Sequence, residues 1–538
     1  MNSSHINKIL TTACIAASAL AVTACSDGFF DRYPSDSMQM ETYLTNDSEA
    51  ENILLDAYYY LRTVQEDVIM VNGLCTDEAY DYKKNNQADY ISLNEGTWDA
   101  TWANCYSMIN RCNSVLDKIG NVSEKNRKQY EGEACMLRAY AYFTLVRLFG
   151  PVPLTEHVVD DYSDLYNYGR SPEKDVYALI GSDLGKAAAC LPPHYSEAGN
   201  AGRATSTAAK VMMADTHMTL GDFGAARKVL EEVIGYAKAN PASLGLLDDY
   251  ASVFDSQNPV NKEIIFVAQF NNGATVVANY LMKRCIPAVS PNDQPAYTMP
   301  DGTASTILTT QGVGCLLMTW DLYNRFRSNP ADKRYSQMVY DRLYDASQGT
   351  SRQTEEVDVN DNGDAFTPAT LKYFDMHNQG LKTCASGCDD IIYRYADVLL
   401  MYAECLNETN ATAEAKEYLD AVRHRAGLAG TQVTSQSEMR LAIEDERLLE
   451  LCFEGHRWYD LNRTGRINKV MTAHFNHRVK GLSAPLQANN NGMAVADCND
   501  ASGRPLEWRW NDSDGRILFP IPYSQLQLSG GWKQNPGY

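Results

Sequence analysis

The sequence predicts a mainly α-helical fold, and three observations lead to that prediction. Apolar residues recur at helical spacing through long stretches near both ends of the chain. Capping residues precede these stretches, and glycine or proline ends them. The strand-like pieces between them are short, as at 264–268. We therefore expect a helical scaffold at about 45–240 and 390–470, with loop-rich portions at about 240–390 and 470–538.

The composition is that of a globular protein and excludes some functions. The chain has 538 residues, of which 44% are hydrophobic and 21% are charged. The 68 acidic residues outnumber the 47 basic ones, and the net charge of −21 repels phosphate backbones, so we expect no nucleic-acid partner. The 33 tyrosines favour contact surfaces as well as core. The 14 cysteines include no CxxC pair, which argues against zinc ribbons and thioredoxin-like redox sites.

The first 24 residues are predicted to be a lipoprotein signal peptide. An uncharged stretch follows Lys8, and it is shorter than a usual membrane-spanning helix. It ends in Val22-Thr23-Ala24-Cys25, which resembles the bacterial lipoprotein box, in which small residues fit the signal peptidase. The Cys25 thiol would accept diacylglycerol and anchor the mature chain in a membrane. The alternative is a plain secretory signal in which the position of Cys25 is coincidental.

Six helices are predicted before residue 240. Gly150-Pro151 ends the longest of them, and Pro192-Pro193 ends the next. The predicted helices cover 49–63, 98–119, 124–149, 172–190, 205–220 and 223–239.

Three more helices are predicted at 391–408, 413–426 and 437–454. The pairs at 205–239 and 391–426 share a design, because a short polar turn joins two helices and the second helix begins with small alanine-rich residues. Small residues there let helices approach closely, which is the tetratricopeptide arrangement. Such units need neighbours to bury their faces, so at least three units are required, and the earlier helices could supply the others. An irregular helical bundle is the alternative.

Four groups of segments carry motifs that follow one another in chain order. The first has a cysteine followed by a Phe-Asp-x-x-Pro stretch, and the second is a long helix with a Gly-x-Val-Pro exit. The third contains the Tyr-Arg-Tyr-Ala-Asp and Glu-Gly-His-Arg-Trp-Tyr-Asp-Leu stretches, and the last contains Leu-Phe-Pro-Ile-Pro and Gln-Asn-Pro-Gly-Tyr. They occupy 25–34, 138–154, 393–404 with 446–461, and 518–522 with 534–538. Together they resemble the SusD/RagB family of surface lipoproteins from Bacteroidetes, and the resemblance implies that 25–538 form one SusD-like domain.

The resemblance implies a fold with about four tetratricopeptide-like pairs and a loop-rich portion that binds ligand. It implies a non-catalytic lipoprotein, anchored through Cys25 and exposed on the cell outer membrane. Such a protein captures oligosaccharides or polysaccharides and delivers them to a SusC-like TonB-dependent transporter. Two alternatives stay open, a surface glycoside hydrolase and a binder of a non-glycan nutrient such as peptides.

Sugar binding needs aromatic rings for the apolar sugar faces and polar side chains for the hydroxyl rim. Two stretches offer them. After Thr76-Asp77-Glu78, which resembles a family segment preceding binding aromatics, the candidates are Tyr80, Tyr82, Asn85 and Asn86. In the loop-rich portion, which family members use for the opposite wall, they are Tyr280, Tyr297 and Trp320. Packing in the core is the competing interpretation for each of these residues, and above all for Trp320 beside a predicted helix.

A dense ionisable cluster is interpreted as structural and not catalytic. Glu446, Glu450 and Glu454 follow one another at i, i+4 and i+8 on a predicted helix, where Arg447 and Arg457 could pair with them or cap the helix end. Likewise, we expect structural charge pairs around two buried tyrosines, made by Asp389, Asp390, Arg394 and Asp397. A chain with 68 acidic residues still leaves a glycosidase carboxylate pair open.

No cofactor is expected, and calcium is only a minor alternative. Asp358, Asn360 and Asn362, with Gly363, match the first half of an EF-hand loop. Ala369 stands where that loop has its bidentate glutamate, so a polar turn is favoured over a calcium site. The sequence matches no nucleophile elbow, HExxH motif or phosphate-binding glycine loop.

Overall fold

The computed structural model describes most of the chain after residue 43. Asp358, Asn360 and Asn362, like Cys25, lie outside the described residues. Within the described part, none of the helices is long and apolar enough to cross a membrane. The described ranges are 44–81, 98–159, 169–195, 198–270, 278–286, 296–298, 304–305, 312–345, 350–353, 368–375, 386–480 and 517–538.

Six helices form the N-terminal block, and each of the first five packs against the next. They confirm the predicted helices, although the first continues 11 residues beyond its predicted end at Thr63. The added residues are buried on nearly all sides, so apolar and polar positions do not alternate with the helical period that would have predicted a helix there. The helices are α1 Asp47–Leu74, α2 Asp99–Asp117, α3 Glu124–Phe149, α4 Glu173–Cys190, α5 Ser206–Thr219 and α6 Phe223–Ala239.

Helix α3 runs through the core and ends where the sequence predicts. Gly150 has φ +71°, and a Cβ at that position would lie 2.8 Å from Leu518 Cδ1. Only glycine therefore suits both the backbone and the close approach of the C-terminal segment. Phe519 N donates to Leu148 O at 2.7 Å, and its ring packs among Trp98, Phe149 and Trp458. The C-terminal segment is thus part of the core.

The middle of the chain contains short helices and strands of two to five residues. The helices are α7 Leu281–Cys285, α8 Trp320–Arg327 and α9 Lys333–Met338. The strands are β1 Ala79–Tyr80, β2 Ile264–Ala268, β3 Ala296–Thr298, β4 Ala304–Ser305, β5 Leu317–Met318, β6 Val339–Tyr340, β7 Arg342–Asp345, β8 Thr350–Gln353, β9 Ala369–Thr370 and β10 Asp390–Arg394.

The described strands form four small antiparallel sheets. Strand β3 lies inside the order β4-β3-β7-β8, and the others pair as β1-β5, β2-β10 and β6-β9. In the β2-β10 pair, Ile391 is opposite Val267. The helix predicted from residue 391 therefore begins only at Tyr395, because the preceding residues are held in this sheet.

The second helical block follows β10. Helix α10 packs against α11 and α12 and also against α6, which joins the two blocks. The described elements confirm a mainly helical fold with tetratricopeptide-like pairing, in which Ala226 of α6 and Ala415 of α11 are fully buried. The prediction of loop after residue 470 is wrong where α14 and α15 lie. The helices are α10 Tyr395–Glu408, α11 Thr412–Arg425, α12 Gln436–Leu451, α13 Arg457–Arg463, α14 Ile467–Lys480 and α15 Tyr523–Ser529.

A buried ion network joins α12 to the rest of the core. Glu450 accepts from Arg394 Nη1 at 2.6 Å and from Arg334 Nη1 at 3.1 Å, and it also pairs with Arg425. Burial opposes ionisation of Glu450, but these three guanidinium groups outweigh it and hold its pKa well below the usual range. Arg394 also pairs with Glu454 at 2.7 Å. The network therefore has the structural role that the sequence predicts.

Some predicted partners within this network are wrong. Arg447 points away from the three glutamates and pairs with Asp397 and Asp460, each at 2.7 Å. Arg457 pairs with Asp77 at 2.8 Å. Asp389 and Asp390 form no charge pair with Arg394, because they accept hydrogen bonds from amide groups, Phe270 N and Asn279 Nδ2.

Candidate functional site

The structure describes only part of the predicted ligand site. Tyr82, Asn85 and Asn86 lie outside the described residues, and for Tyr297 only the backbone in β3 is described. Their ligand contacts stay predictions. The side chains of Tyr80, Tyr280 and Trp320 are described, and they differ sharply in exposure.

Tyr80 and Trp320 lie in the core. Tyr80 is 3% exposed, because β1 places it opposite Leu317 of β5. Trp320 begins α8, and its ring packs edge-on against Tyr323 with centroids 5.3 Å apart. Neither ring offers a face to a ligand, so the packing interpretation fits both residues better than the predicted contact.

Replacing Tyr80 by alanine should lower the free energy of unfolding by about 3–5 kcal/mol, because a large buried ring is lost. Denaturant unfolding measures this, with Tyr523→Ala as the control for an exposed tyrosine. A folded Tyr80→Ala variant of unchanged stability that has lost glycan affinity would return Tyr80 to the ligand site.

The Tyr280 side chain is exposed, and the backbone next to it is held by hydrogen bonds. Its side chain is 54% exposed, and it directly precedes α7. The neighbouring Asn279 exchanges two backbone hydrogen bonds with Ser386, of 2.8 and 3.0 Å. The Asn279 side chain accepts from Leu281 N at 2.8 Å and donates to Cys388 O at 3.0 Å. The aromatic ring therefore projects from a backbone that is fixed before any ligand binds.

A polar cluster on α1 contacts Arg284, which stands one helical turn after Tyr280. Arg284 of α7 donates from Nε to Glu66 Oε1 at 2.7 Å. The adjacent Asp67 accepts from Thr101 Oγ1 at 2.7 Å. Burial raises the pKa of Asp67 to about 6, against the effect of the Thr101 hydrogen bond, and nearby Glu66 adds to the rise. We call these residues, with Tyr280, the Tyr280 rim.

The Tyr280 rim has the groups that a sugar needs. The ring of Tyr280 can stack on a sugar face, while the guanidinium of Arg284 donates to hydroxyls and the carboxylates accept from them. Glu66 and Asp67 are neighbours on a helix, so their side chains point about 100° apart. Arg284 and Thr101 hold them in different directions. The rim is therefore suited to binding more than to two-carboxylate hydrolysis.

Glu78 follows the C-terminal end of α1 and is buried near Asp77, Arg457 and Lys372. It accepts a hydrogen bond from Phe453 N at 3.2 Å. Burial raises the pKa of this carboxyl to about 8, and the hydrogen bond and the two cations only partly oppose the rise. The folded protein thus holds Glu78 mainly neutral at pH 7.

This raised pKa predicts a pH-dependent stability. A carboxyl group whose pKa is raised by folding contributes its full stabilisation below its unfolded pKa, here near 4.5. That contribution is lost as the pH rises towards 8, the pKa of Glu78 in the folded protein. Between pH 5 and pH 8, the wild type should therefore lose roughly 2–4 kcal/mol of unfolding free energy relative to Glu78→Gln. Denaturant unfolding of both proteins across this range tests the prediction, and parallel profiles would refute it.

A separate cleft of about 660 Å³ lies between α8, α12 and α14. Its charged side chains already pair with one another, as in Arg466–Glu444 at 2.8 Å and Arg325–Asp445 at 2.7 Å. The described residues that line this cleft include no phenylalanine, tyrosine or tryptophan on which a sugar face could stack, so the Tyr280 rim is the better candidate. Among the residues that the structure describes, no group of three or more histidine, cysteine or acidic side chains could hold a metal ion.

Comparison with known proteins decides the family. The family model described as "SusD family" matches residues 262–538, just over half of the chain. The chain belongs to the SusD family. A second model, described as "Starch-binding associating with outer membrane", matches residues 30–216. The predicted resemblance to SusD/RagB is therefore confirmed.

Curated SusD-like relatives match over most of their length. SusD-like protein P25 of Formosa agariphila is 28% identical over 490 residues, which cover 82% of this chain and 88% of that protein. A SusD-like protein of Bacteroides ovatus is 26% identical over 507 residues, with coverages of 87% and 85%.

Solved SusD-like structures share the fold. A SusD homolog from Bacteroides thetaiotaomicron superposes with a TM-score of 0.72 at 22% identity, covering 95% of this chain and 100% of that one. A structure titled "Laminarin binding SusD-like protein" gives 0.69 at 22% identity, with coverages of 92% and 100%. Surface glycan-binding protein A from Bacteroides uniformis gives 0.68 at 24%, with coverages of 91% and 99%.

The polar half of the rim was missed by sequence reasoning. Glu66 and Asp67 follow the predicted end of the first helix at Thr63, and Arg284 is far from them in the chain. The one available signal was local, since Tyr280 stands four residues before Arg284.

Proposed function

We propose that this SusD-family protein is a lipid-anchored, surface-exposed glycan-binding protein of the outer membrane. It captures oligosaccharides or polysaccharides without cleaving them and delivers them to a SusC-like TonB-dependent transporter. The observation that carries the proposal is the exposed side chain of Tyr280, which stands one helical turn before Arg284 and its ion pair with Glu66. The names of two structural relatives, as laminarin-binding and surface glycan-binding proteins, support it.

The physical basis is stacking at low entropic cost. A sugar ring loses water from its apolar face when it covers an exposed aromatic ring, and its hydroxyls bond to the polar groups beside that ring. The anchored backbone around Asn279 reduces the ordering cost of binding. Glu446, Glu450 and Glu454, the glutamates of the dense ionisable cluster, are buried and paired with cations, which supports a structural role.

Calorimetric titration of the purified mature chain tests the ligand class. The panel consists of plant, fungal, host and bacterial polysaccharides, starting with laminarin, and includes a pool of oligopeptides. We expect saturable binding to at least one polysaccharide. Binding to peptides alone would replace the glycan assignment with that of a peptide-binding member.

Delivery to a transporter predicts a stable or recurrent contact with one. Chemical cross-linking on intact cells, followed by isolation of the tagged chain, should recover a TonB-dependent transporter of the SusC class. Recovery of the tagged chain without such a transporter would restrict the function to capture.

Replacing Cys25 by alanine should abolish anchoring, because the thiol that would carry diacylglycerol is removed. We expect the variant to stay uncleaved or to be soluble in the periplasm, and labelling of intact cells with a membrane-impermeant reagent should lose its signal. Undiminished surface labelling of Cys25→Ala would contradict the anchor at this residue.

A further inference from the structure

On the N-terminal side of Glu66, α1 has an outer face with exposed side chains. Leu55, Tyr59, Arg62 and Glu66 follow one another at i, i+4, i+7 and i+11, so their side chains share one face of the helix. Leu55 and Tyr59 are each 52% exposed. Single exposed apolar residues are normal on proteins, so exposure alone does not make this face a binding surface.

Tyr59 differs from an ordinary exposed residue because its ring is held in place. The guanidinium carbon of Arg62 lies 5.2 Å from the ring centroid. The ring of Tyr60 packs edge-on at 5.7 Å, with an interplanar angle of 80°. These two contacts leave about half of the Tyr59 side chain exposed. A ligand that stacks on Tyr59 therefore meets a ring whose side-chain entropy is already reduced.

The Tyr59 ring is continuous with the Tyr280 rim. Tyr59 and Glu66 are seven residues apart on α1, a rise of about 10 Å along the axis. Glu66 holds Arg284, which lies one turn after Tyr280 on α7. Two exposed tyrosines, Tyr59 and Tyr280, are thus connected through a polar strip formed by Arg62, Glu66 and Arg284, and the strip is longer than one sugar ring.

We propose that Tyr59 is an outlying contact for the same glycan that binds at Tyr280, so that the ligand is an extended chain lying along α1. The two rings stack on separate sugar units, and the strip between them bonds to hydroxyls. The charged side chains of Arg62 and Glu66 suit a hydroxyl-rich polymer better than an apolar protein surface. This inference rests on the proposed function and specifies its substrate class.

The test compares ligands of different length. The probes are the polysaccharide that binds most tightly in the panel above and its disaccharide and octasaccharide. Tyr59→Ala should lower affinity for the polysaccharide and the octasaccharide about tenfold and leave affinity for the disaccharide unchanged. Tyr280→Ala should lower affinity for all three. Tyr523→Ala is the control, because it removes an exposed tyrosine from α15.

The outcomes separate this inference from the proposed function. Wild-type affinity of Tyr59→Ala at every ligand length would overturn the extended site and leave glycan binding intact. Equal losses at every length would also overturn it, because Tyr59 would then belong to the central site. Failure of the wild type to bind any polysaccharide would overturn both. Tyr59→Phe keeps the ring and should retain affinity, which separates loss of stacking from misfolding.

Discussion

Replacing Glu450 by glutamine is expected to lower the free energy of unfolding by about 3–5 kcal/mol. Glu450 is fully buried and accepts from Arg334, Arg394 and Arg425. Glutamine keeps the shape but removes the charge that these guanidinium groups share, and the uncompensated cations stay buried. Because the pKa of Glu450 is lowered on folding, its contribution is present above pH 4.5 and is lost as pH falls below that value.

Asp445→Asn provides a matched control on the same helix. Asp445 pairs with Arg325 at 2.7 Å, but both side chains are largely exposed, at 58% and 43%. Exposed pairs contribute about 0–1 kcal/mol, so this variant should unfold almost as the wild type does. Denaturant titration at neutral pH measures both variants. If Glu450→Gln were as stable as Asp445→Asn, the buried network would not stabilise the attachment of α12 to the core.

Replacing Tyr280 by alanine is expected to weaken glycan binding at least about tenfold. Truncating an aromatic anchor of this kind typically costs about 2 kcal/mol or more, and each 1.4 kcal/mol is a factor of about ten in affinity. The melting temperature should not change, because the Tyr280 side chain is 54% exposed and its loss opens no cavity. Calorimetric titration with the tightest-binding polysaccharide measures the effect.

Tyr523→Ala is again the control, since Tyr523 is 53% exposed on α15 and does not belong to the rim. A folded Tyr280→Ala variant with wild-type affinity would remove Tyr280 from the site. The remaining sequence candidates, Tyr82, Asn85, Asn86 and Tyr297, would then be tested in turn.

The sequence predicts those elements whose signals are local. Helix α3 has its predicted bounds because Gly150-Pro151 ends it within the chain itself. Strand β10 was mistaken for the start of a helix because its partner, β2, is more than a hundred residues away. A short apolar run such as 391–393 suits either a helix or a strand, and only the distant partner decides between them.

The same limit applies to the candidate site. Tyr80 and Tyr280 are both candidate ligand contacts in the sequence, and neither neighbourhood shows which ring is covered. The pairing of Tyr80 with Leu317 buries the first, whereas the turn before α7 exposes the second. The Arg284–Glu66 pair joins residues from different parts of the chain, so no local motif could indicate it.

Capture without cleavage is the central claim, and product analysis of a bound polysaccharide tests it most directly. The purified mature chain is incubated with its tightest-binding polysaccharide, and reducing ends and polymer length are measured over time. The account predicts saturable binding, no new reducing ends and polymer recovered at its original length. Release of reducing ends that is lost on replacing Glu66 and Asp67 by glutamine and asparagine would contradict it and make the protein a glycoside hydrolase.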